Sequence, residues 1–267
     1  MPVTVRDLAR FKSESRRFAM LTAYDFPTAR ILDEAGIPVL LVGDSLGQVM
    51  LGYDTTVPVT MEEMLHHCRA VSRGARSALL VGDLPFGSYQ VSVEEGIRNA
   101  VRLMKEGGMH AVKLEGWHPG LIEALTDRGI PVMAHLGLTP QSVYALGGYR
   151  VQAKTEEDAH RLLAHAQDLQ KAGAFSLVLE CVPSTVAGAV TEALAIPTIG
   201  IGAGGSCDGQ VLVVNDLLGL RPASSTGPKP KFVKAQADLA TIITEAVTAY
   251  RTEVESGAFP DDAHSYH

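Results

Sequence analysis

Short runs of uninterrupted apolar residues alternate along the chain with longer stretches in which apolar positions recur every three or four residues. The runs fall at 18–25, 39–45, 78–84, 111–115, 131–138, 176–181, 196–201 and 211–214, and read as strands; the stretches between them read as helices. Helix starts are marked chemically. Pro27 sits where a helix can begin, Thr60-Met61-Glu62-Glu63 has capping-box spacing, and Ser92 and Thr155 each precede acidic first turns. The helices expected between strands are 29–35, 60 onward, 92–107, 119–128, 155–171 and 184–194, with a long amphipathic helix over 232–255. A short helix over residues 4–15, with Thr4 as N-cap and Asp7 in its first turn, precedes the first strand and is expected to act as a cap. The remainder reads as connections: Gly52–Thr60, Thr139–Lys154, a Pro/Ser/Gly-rich loop over 221–231 and a tail over 257–267.

Strands that are apolar throughout, with no polar alternation, are buried on both faces and so belong to a parallel sheet. Eight strand-helix units predict an α/β fold of one domain over 1–267, a single (β/α)8 TIM barrel with an N-terminal capping helix. The rival is an open doubly wound sheet. Against it, the glycine-rich turn Gly200-Ile201-Gly202-Ala203-Gly204 follows the seventh strand, whereas a doubly wound sheet has it after the first.

Composition narrows the partners. A net charge of -7 without any run of basic residues argues against a nucleic-acid surface. No run approaches the roughly 18 apolar residues of a membrane span. The three cysteines, Cys68, Cys181 and Cys207, are scattered and odd in number, which speaks against a disulfide framework and for a reducing, cytoplasmic setting. Small molecules are the expected partners.

In a barrel of this kind chemistry is built at the carboxyl ends of the strands. Asp44, Ser45, Asp83, Lys113, Glu115, His135 and Glu180 all stand there. Asp44 or Asp83 alone reads equally well as a turn former or an N-cap. Acids at several strand ends are harder to explain so. Crowded carboxylates resist ionisation unless a cation sits among them, and hard oxygen ligands without clustered His or Cys suit Mg2+. Lys113 and Glu115, two apart on one strand, share a face; they are either a structural ion pair or a cation holding a substrate carboxylate beside the metal. Glu180, set apart from the other acids, has the surroundings of a general base. His135 is open between a donor in the site and a satisfied interior histidine. Cys181, pointing the other way from Glu180, reads as core, and the adjacent His66 and His67 diverge too far to share a metal. The glycine turn after strand seven can present N–H groups to an anion or only permit close approach.

Several segments together resemble one family: Met20-Leu21-Thr22-Ala23-Tyr24-Asp25, Val42-Gly43-Asp44-Ser45-Leu46-Gly47, Gly82-Asp83-Leu84-Pro85-Phe86-Gly87-Ser88-Tyr89, Val112-Lys113-Leu114-Glu115-Gly116, His135-Leu136-Gly137-Leu138-Thr139-Pro140-Gln141, Leu179-Glu180-Cys181-Val182-Pro183, and Gly200-Ile201-Gly202-Ala203-Gly204 leading to Cys207-Asp208-Gly209-Gln210. Over nearly its whole length the chain is similar to the ketopantoate hydroxymethyltransferases of pantothenate biosynthesis. The resemblance implies a (β/α)8 barrel that binds Mg2+ and transfers a one-carbon unit from 5,10-methylenetetrahydrofolate, as co-substrate, to the keto acid 3-methyl-2-oxobutanoate. It implies metal-site roles for Asp44, Asp83 and Glu115. Substrate contacts fall on Asp44, Ser45, Asp83 and Lys113, and proton acceptance on Glu180. It also implies a homo-oligomer, typically a decamer. The alternative is a Mg2+-dependent carbon–carbon or carbon–phosphorus lyase or mutase on the related phosphoenolpyruvate-type barrel, distinguished by whether folate is required.

Overall fold

Eight parallel strands close into a barrel in chain order, β8 pairing back onto β1. The computed structural model describes residues 2–221 and 230–267. The strands are β1 (Phe18–Thr22), β2 (Val39–Val42), β3 (Leu79–Asp83), β4 (Ala111–Glu115), β5 (Val132–Gly137), β6 (Ser176–Glu180), β7 (Thr198–Ile201) and β8 (Gly209–Leu212). Helix α1 (Val5–Ser13) precedes the barrel. Between strands run α2 (Phe26–Glu34), α3 (Leu46–Val49), α4 (Met61–Gly74), α5 (Val93–Lys105), α6 (Pro119–Thr126), α7 (Val143–Leu146), α8 (Glu156–Lys171) and α9 (Ser184–Ala193). This is the (β/α)8 barrel that the strand pattern predicts. Among the described residues no helix is long and apolar enough to cross a membrane.

The expected caps form. Thr60 accepts from the Glu63 N–H while the Glu63 carboxylate takes the Thr60 N–H at 2.8 Å, and the Ser92 and Thr155 hydroxyls each accept the N–H three residues on. Asp25, taken from the sequence as the end of strand one, is instead the N-cap of α2, its carboxylate accepting from Thr28 N–H at 2.8 Å.

Inside the barrel the side chains form layers. Met20, Val39, Leu41, Leu79, Val81, Ala111, Met133, Val178, Ile199 and Val211 belong to one buried cluster, and Leu8 and Phe11 of α1 complete it. The N-terminal helix is therefore a plug, driving two apolar side chains into the amino end of the barrel. Because side chains alternate along a strand, the inward positions above Val81, Ala111, Met133 and Val178 are Asp83, Lys113, His135 and Glu180, with Glu115 one step above Lys113. The apolar plug at one end thus fixes which residues face inward at the other.

The last strand also differs from expectation. The eighth strand is Gly209–Leu212, earlier than the apolar run at 211–214, because Gly209 pairs with both Phe18 and Ile199. A Cβ on Gly209 would lie 2.7 Å from the Phe18 ring, so this glycine makes room for a neighbour inside the barrel.

The chain forms two compact units, Met1–Val213 with the barrel and Val214–His267. In the second, α10 (Val214–Leu217) is followed by α11 (Leu239–Ser256), which begins later than the expected 232 because Asp238 is its N-cap, accepting from Thr241 N–H at 3.3 Å. Most of the loop expected over 221–231 lies outside the described residues. Helix α11 buries none of its residues, and the tail turns so that Phe259 meets Tyr250 with ring centroids 5.5 Å apart.

Candidate active site

The register of the ladders sets the site out around the carboxyl end of the barrel. Asp83 pairs with Lys113, and Glu115 with His135, on neighbouring strands. Lys113 Nζ donates to Asp83 Oδ1 at 2.6 Å and lies 3.9 Å from Glu115 Oε1. His135 stands between two acids, Nδ1 3.4 Å from Glu115 Oε1 and Nε2 3.3 Å from Glu180 Oε2. Glu180, expected to be separate from the other acids, is joined to them through this imidazole. The contacts are within ion-pair distance but off hydrogen-bonding geometry, leaving both ring nitrogens without a hydrogen bond.

Asp44 follows β2. Its backbone N–H donates to Asp83 Oδ2 at 3.2 Å, which draws the two carboxylates to one place. Gly43 permits this approach, since a Cβ there would lie 2.9 Å from Ser45 Oγ and 3.4 Å from Asp83 Oδ2. Ser45 opens α3, and its hydroxyl shares a 2.8 Å hydrogen bond with Tyr24 Oη. All the expected site residues therefore gather at one end of the barrel.

Two residues without any role in the sequence reading hold the cluster in place. Gln141, in the 3-10 turn Pro140–Ser142, donates its N–H to Glu115 Oε2 at 3.0 Å and its side-chain amide to Asp44 Oδ2 and the Leu84 carbonyl, each at 2.9 Å. Tyr89 Oη donates to Gln141 Oε1 at 2.7 Å and accepts from Glu115 N–H at 3.1 Å. Both arrive from loops beyond the strand ends, where no periodicity marks them; the one available signal was the Thr139-Pro140 turn that launches Gln141. Gln141→Leu, similar in size but without the amide, is expected to leave Asp44 and Tyr89 short of partners. It should lower stability by about 1–3 kcal/mol, measured by denaturant unfolding.

Charge in the cluster is unbalanced. Burial, then the neighbouring Glu115 and Asp83, push the Asp44 carboxyl well above the ordinary carboxylate range. Burial also raises Asp83, although Lys113 works against it. Burial disfavours the charge on Lys113, yet Asp83, Glu115 and Asp44 outweigh it and hold the ammonium firmly protonated. Glu115 stays below its usual value despite burial, because His135, Lys113 and the Gln141 N–H favour its anion. Burial and Lys113 oppose a proton on His135, but Glu115 and Glu180 prevail and it is pushed up to about 9. Four acids thus face two cations, and the excess falls on Asp44 and Asp83, the pair with raised values.

That donor set fits a hard divalent cation: oxygen ligands, surplus negative charge and no clustered thiol or imidazole. Among the described residues no three His, Cys, Asp or Glu side chains are arranged as a metal-ligand group. Glu115 is held by Lys113, His135 and Gln141, and Asp83 by Lys113 and the Asp44 N–H, while Asp44 is held at Oδ2 by Gln141, so Asp44, with Asp83 beside it, is the acid most open to such use.

The remaining candidates separate. Cys181, beside Glu180, has φ +48°, an uncommon conformation for a side-chain-bearing residue. Its N–H donates to the Ile201 carbonyl at 2.9 Å, and its own carbonyl accepts from Gln152 N–H at 2.8 Å. Burial and the Glu180 charge push its thiol up to about 11, which suits a packed residue and not a nucleophile. On the preceding strand, Gly137 at φ +95° leaves room for the Glu180 carbonyl, which a Cβ would strike. The His67 ring pairs with the Tyr24 carbonyl at 2.6 Å.

A parallel eight-stranded barrel with an apolar plug at one end and a charged cluster at the strands' carboxyl ends is a (β/α)8-barrel enzyme. Comparison with known proteins makes the class specific. The sequence model of the ketopantoate hydroxymethyltransferases matches residues 2–262, and the chain belongs to this family. A relative from Thermobifida fusca (strain YX), named 3-methyl-2-oxobutanoate hydroxymethyltransferase, is 56% identical over 266 residues, covering 99% of this chain and 93% of the relative. One of the same name from Syntrophus aciditrophicus (strain SB) is 54% identical, covering 99% and 96%. Among solved structures, a phosphonopyruvate hydrolase complex with oxalate and Mg2+ aligns with a TM-score of 0.62 at 13% identity, covering 99% of this chain and 93% of that one. A 2,3-dimethylmalate lyase of the PEP mutase/isocitrate lyase superfamily aligns at 0.55 and 17%, covering 96% and 88%. At these identities the likeness is one of fold.

Proposed function

We propose that this enzyme transfers the one-carbon unit of 5,10-methylenetetrahydrofolate to 3-methyl-2-oxobutanoate, giving 2-dehydropantoate, with Mg2+ held at Asp44 and Asp83. The observation that carries the reading is the crowding of two buried carboxylates, Asp44 and Asp83, whose ionisation is disfavoured unless a cation joins them, in a chain whose relatives are named for hydroxymethyl transfer to this keto acid. Mg2+ bound there would act as a Lewis acid, stabilising negative charge developing on the keto oxygen.

The chain's own groups do the rest. Lys113, held protonated, and the Ser45 hydroxyl hold the substrate carboxylate. Glu115 does not reach the metal directly on this reading; it fixes Lys113, His135 and the Gln141 turn around it. Glu180 removes the C3 proton, and His135 steadies one of its oxygens during the transfer. Water first breaks the carbon–nitrogen bonds of the methylene bridge, releasing tetrahydrofolate and leaving the one-carbon unit at the oxidation level of formaldehyde. The electron pair left at C3 then bonds to that carbon, whose oxygen takes up a proton and becomes the hydroxyl of the product. We further infer self-association into a homodecamer, supported by the family resemblance and by the exposed Ile242, Ile243, Val247, Tyr250 and Val254 on α11.

Turnover of 3-methyl-2-oxobutanoate is the direct test. Product is expected only when both methylenetetrahydrofolate and Mg2+ are present; turnover without folate would favour a lyase or mutase instead. The metal has its own signature. Asp44 and Asp83 sit above their unfolded values and must lose their protons to bind it, so Mg2+ affinity should rise with pH through their folded range and fall as acid reprotonates them. Calorimetry at several pH values reads this directly, and a flat profile would remove these acids from the metal site.

A further inference from the structure

At the amino end of the barrel, away from the acid cluster, the turn leaving α1 and the segment before β8 line a concavity of about 190 Å3 that is open to solvent. Its lining includes Lys12, Ser15, Arg16, Arg17, Ser206 and Asp208. The position is set by Asp208, which precedes β8 and accepts the N–H of Thr198, the first residue of β7, at 2.8 Å.

The charges here do not cancel. Lys12 and Asp208 satisfy one another: Nζ lies 2.9 Å from Asp208 Oδ2 and 2.9 Å from the Thr191 carbonyl. Asp208, already shared between Lys12 and Thr198, has little left for the arginines. Arg16 is held by its backbone, whose N–H donates to the Phe11 carbonyl at 2.8 Å, and by its guanidinium, 4.3 Å from the Phe11 ring centroid. Among the described residues neither Arg16 nor Arg17 forms an ion pair with an acid. In a chain of net charge -7, two adjacent uncompensated arginines facing a concavity run against the overall field.

The lining is rich in donors and poor in acceptors. Arg16, Arg17, Ser15 and Ser206 all line it, and its one carboxylate among the lining residues, Asp208, is engaged by Lys12. Two forks offer more N–H groups than the two oxygens of a carboxylate can take, whereas a tetrahedral oxyanion has oxygens for both. We propose that this pocket binds a phosphate-type dianion, as inorganic phosphate or as the phosphate end of a small phosphoester, at a site separate from the acid cluster.

Isothermal titration of the intact, metal-free protein with inorganic phosphate and, separately, ribose 5-phosphate tests this. Saturable binding of at least one is expected, weakening as ionic strength rises because the arginines are exposed. Equal affinity for the two points to the free anion, and a tenfold preference for the ester points to a phosphoester; both support the pocket. The R16Q/R17Q double variant should lose at least tenfold in affinity while its melting temperature and turnover hold. Should it misfold, Arg17→Gln alone, which removes a side chain making no ion pair among the described residues, is expected to weaken binding about fivefold. Absence of saturable binding with either probe, wild-type affinity in the variants, or competition by 3-methyl-2-oxobutanoate would overturn the proposal.

Discussion

Glu180→Gln is expected to remove nearly all turnover while leaving the barrel and keto-acid binding in place. The side chain closes β6 and is 16% exposed, against 3% for Asp83 and Glu115, which makes it the acid of this group most open to the mouth. Its Oε2 is held 3.3 Å from His135 Nε2, and among the described residues no partner engages its other oxygen. One oxygen steadied and one free is the arrangement a positioned base needs. Glutamine keeps the shape and cannot accept the proton, so kcat should fall by about 10²–10⁴-fold with little change in KM. Exchange of the substrate C3 proton in deuterated water isolates the step, since it needs no folate. Wild-type exchange in the Gln variant would show that another group is the base.

The legible part of this site is the part written in strand periodicity. In Ala111-Val112-Lys113-Leu114-Glu115, charged residues two apart interrupt an apolar run, and a buried strand tolerates that only where both side chains share one purpose. The plug of Leu8 and Phe11 then determines that this shared face points inward. The same alternation places Asp83, His135 and Glu180, so the ring of charge followed from pattern. What held it together did not. Gln141 and Tyr89 reach the cluster from loops whose paths are set by turns, and Gln141 acts as much through its backbone N–H as through its side chain. No residue type announces a backbone contact. The link between Glu180 and the other acids was hidden for a related reason: it depends on His135 spanning β4 to β6, a cross-strand relation that appears only once the register is known. At the far end of the chain, apolar Phe232 and Val233 extended the helical pattern too early. Val233 is buried without being helical, and Asp238 sets the start.

Lys113→Met should cost more stability than any other single change in the cluster, and the loss should depend on pH. The ammonium is buried, 2.6 Å from Asp83 Oδ1, and among the inward side chains it is the permanent cation facing Asp44, Asp83 and Glu115. Methionine fills similar space without charge. Breaking a buried pair in this way costs about 3–5 kcal/mol, a fall in Tm of roughly 6–20 °C for a chain of this size. The sign with pH follows from the carboxylates. Asp44 and Asp83 already lie above their unfolded values, so each costs stability as pH rises through its folded range, and without Lys113 both rise further. In metal-free protein the deficit should therefore be largest at neutral and alkaline pH. It should shrink toward pH 4, near the unfolded carboxylate values of about 3.9–4.3, where Asp44 and Asp83 are protonated and Glu115, held below its usual value, is the acid left facing the lysine. Thermal unfolding of the variant and the parent at pH 8 and pH 4, in chelator, measures both ends. A deficit of the same size at each pH would mean that Lys113 contributes packing alone, and that the carboxylates around it are neutralised by some other means.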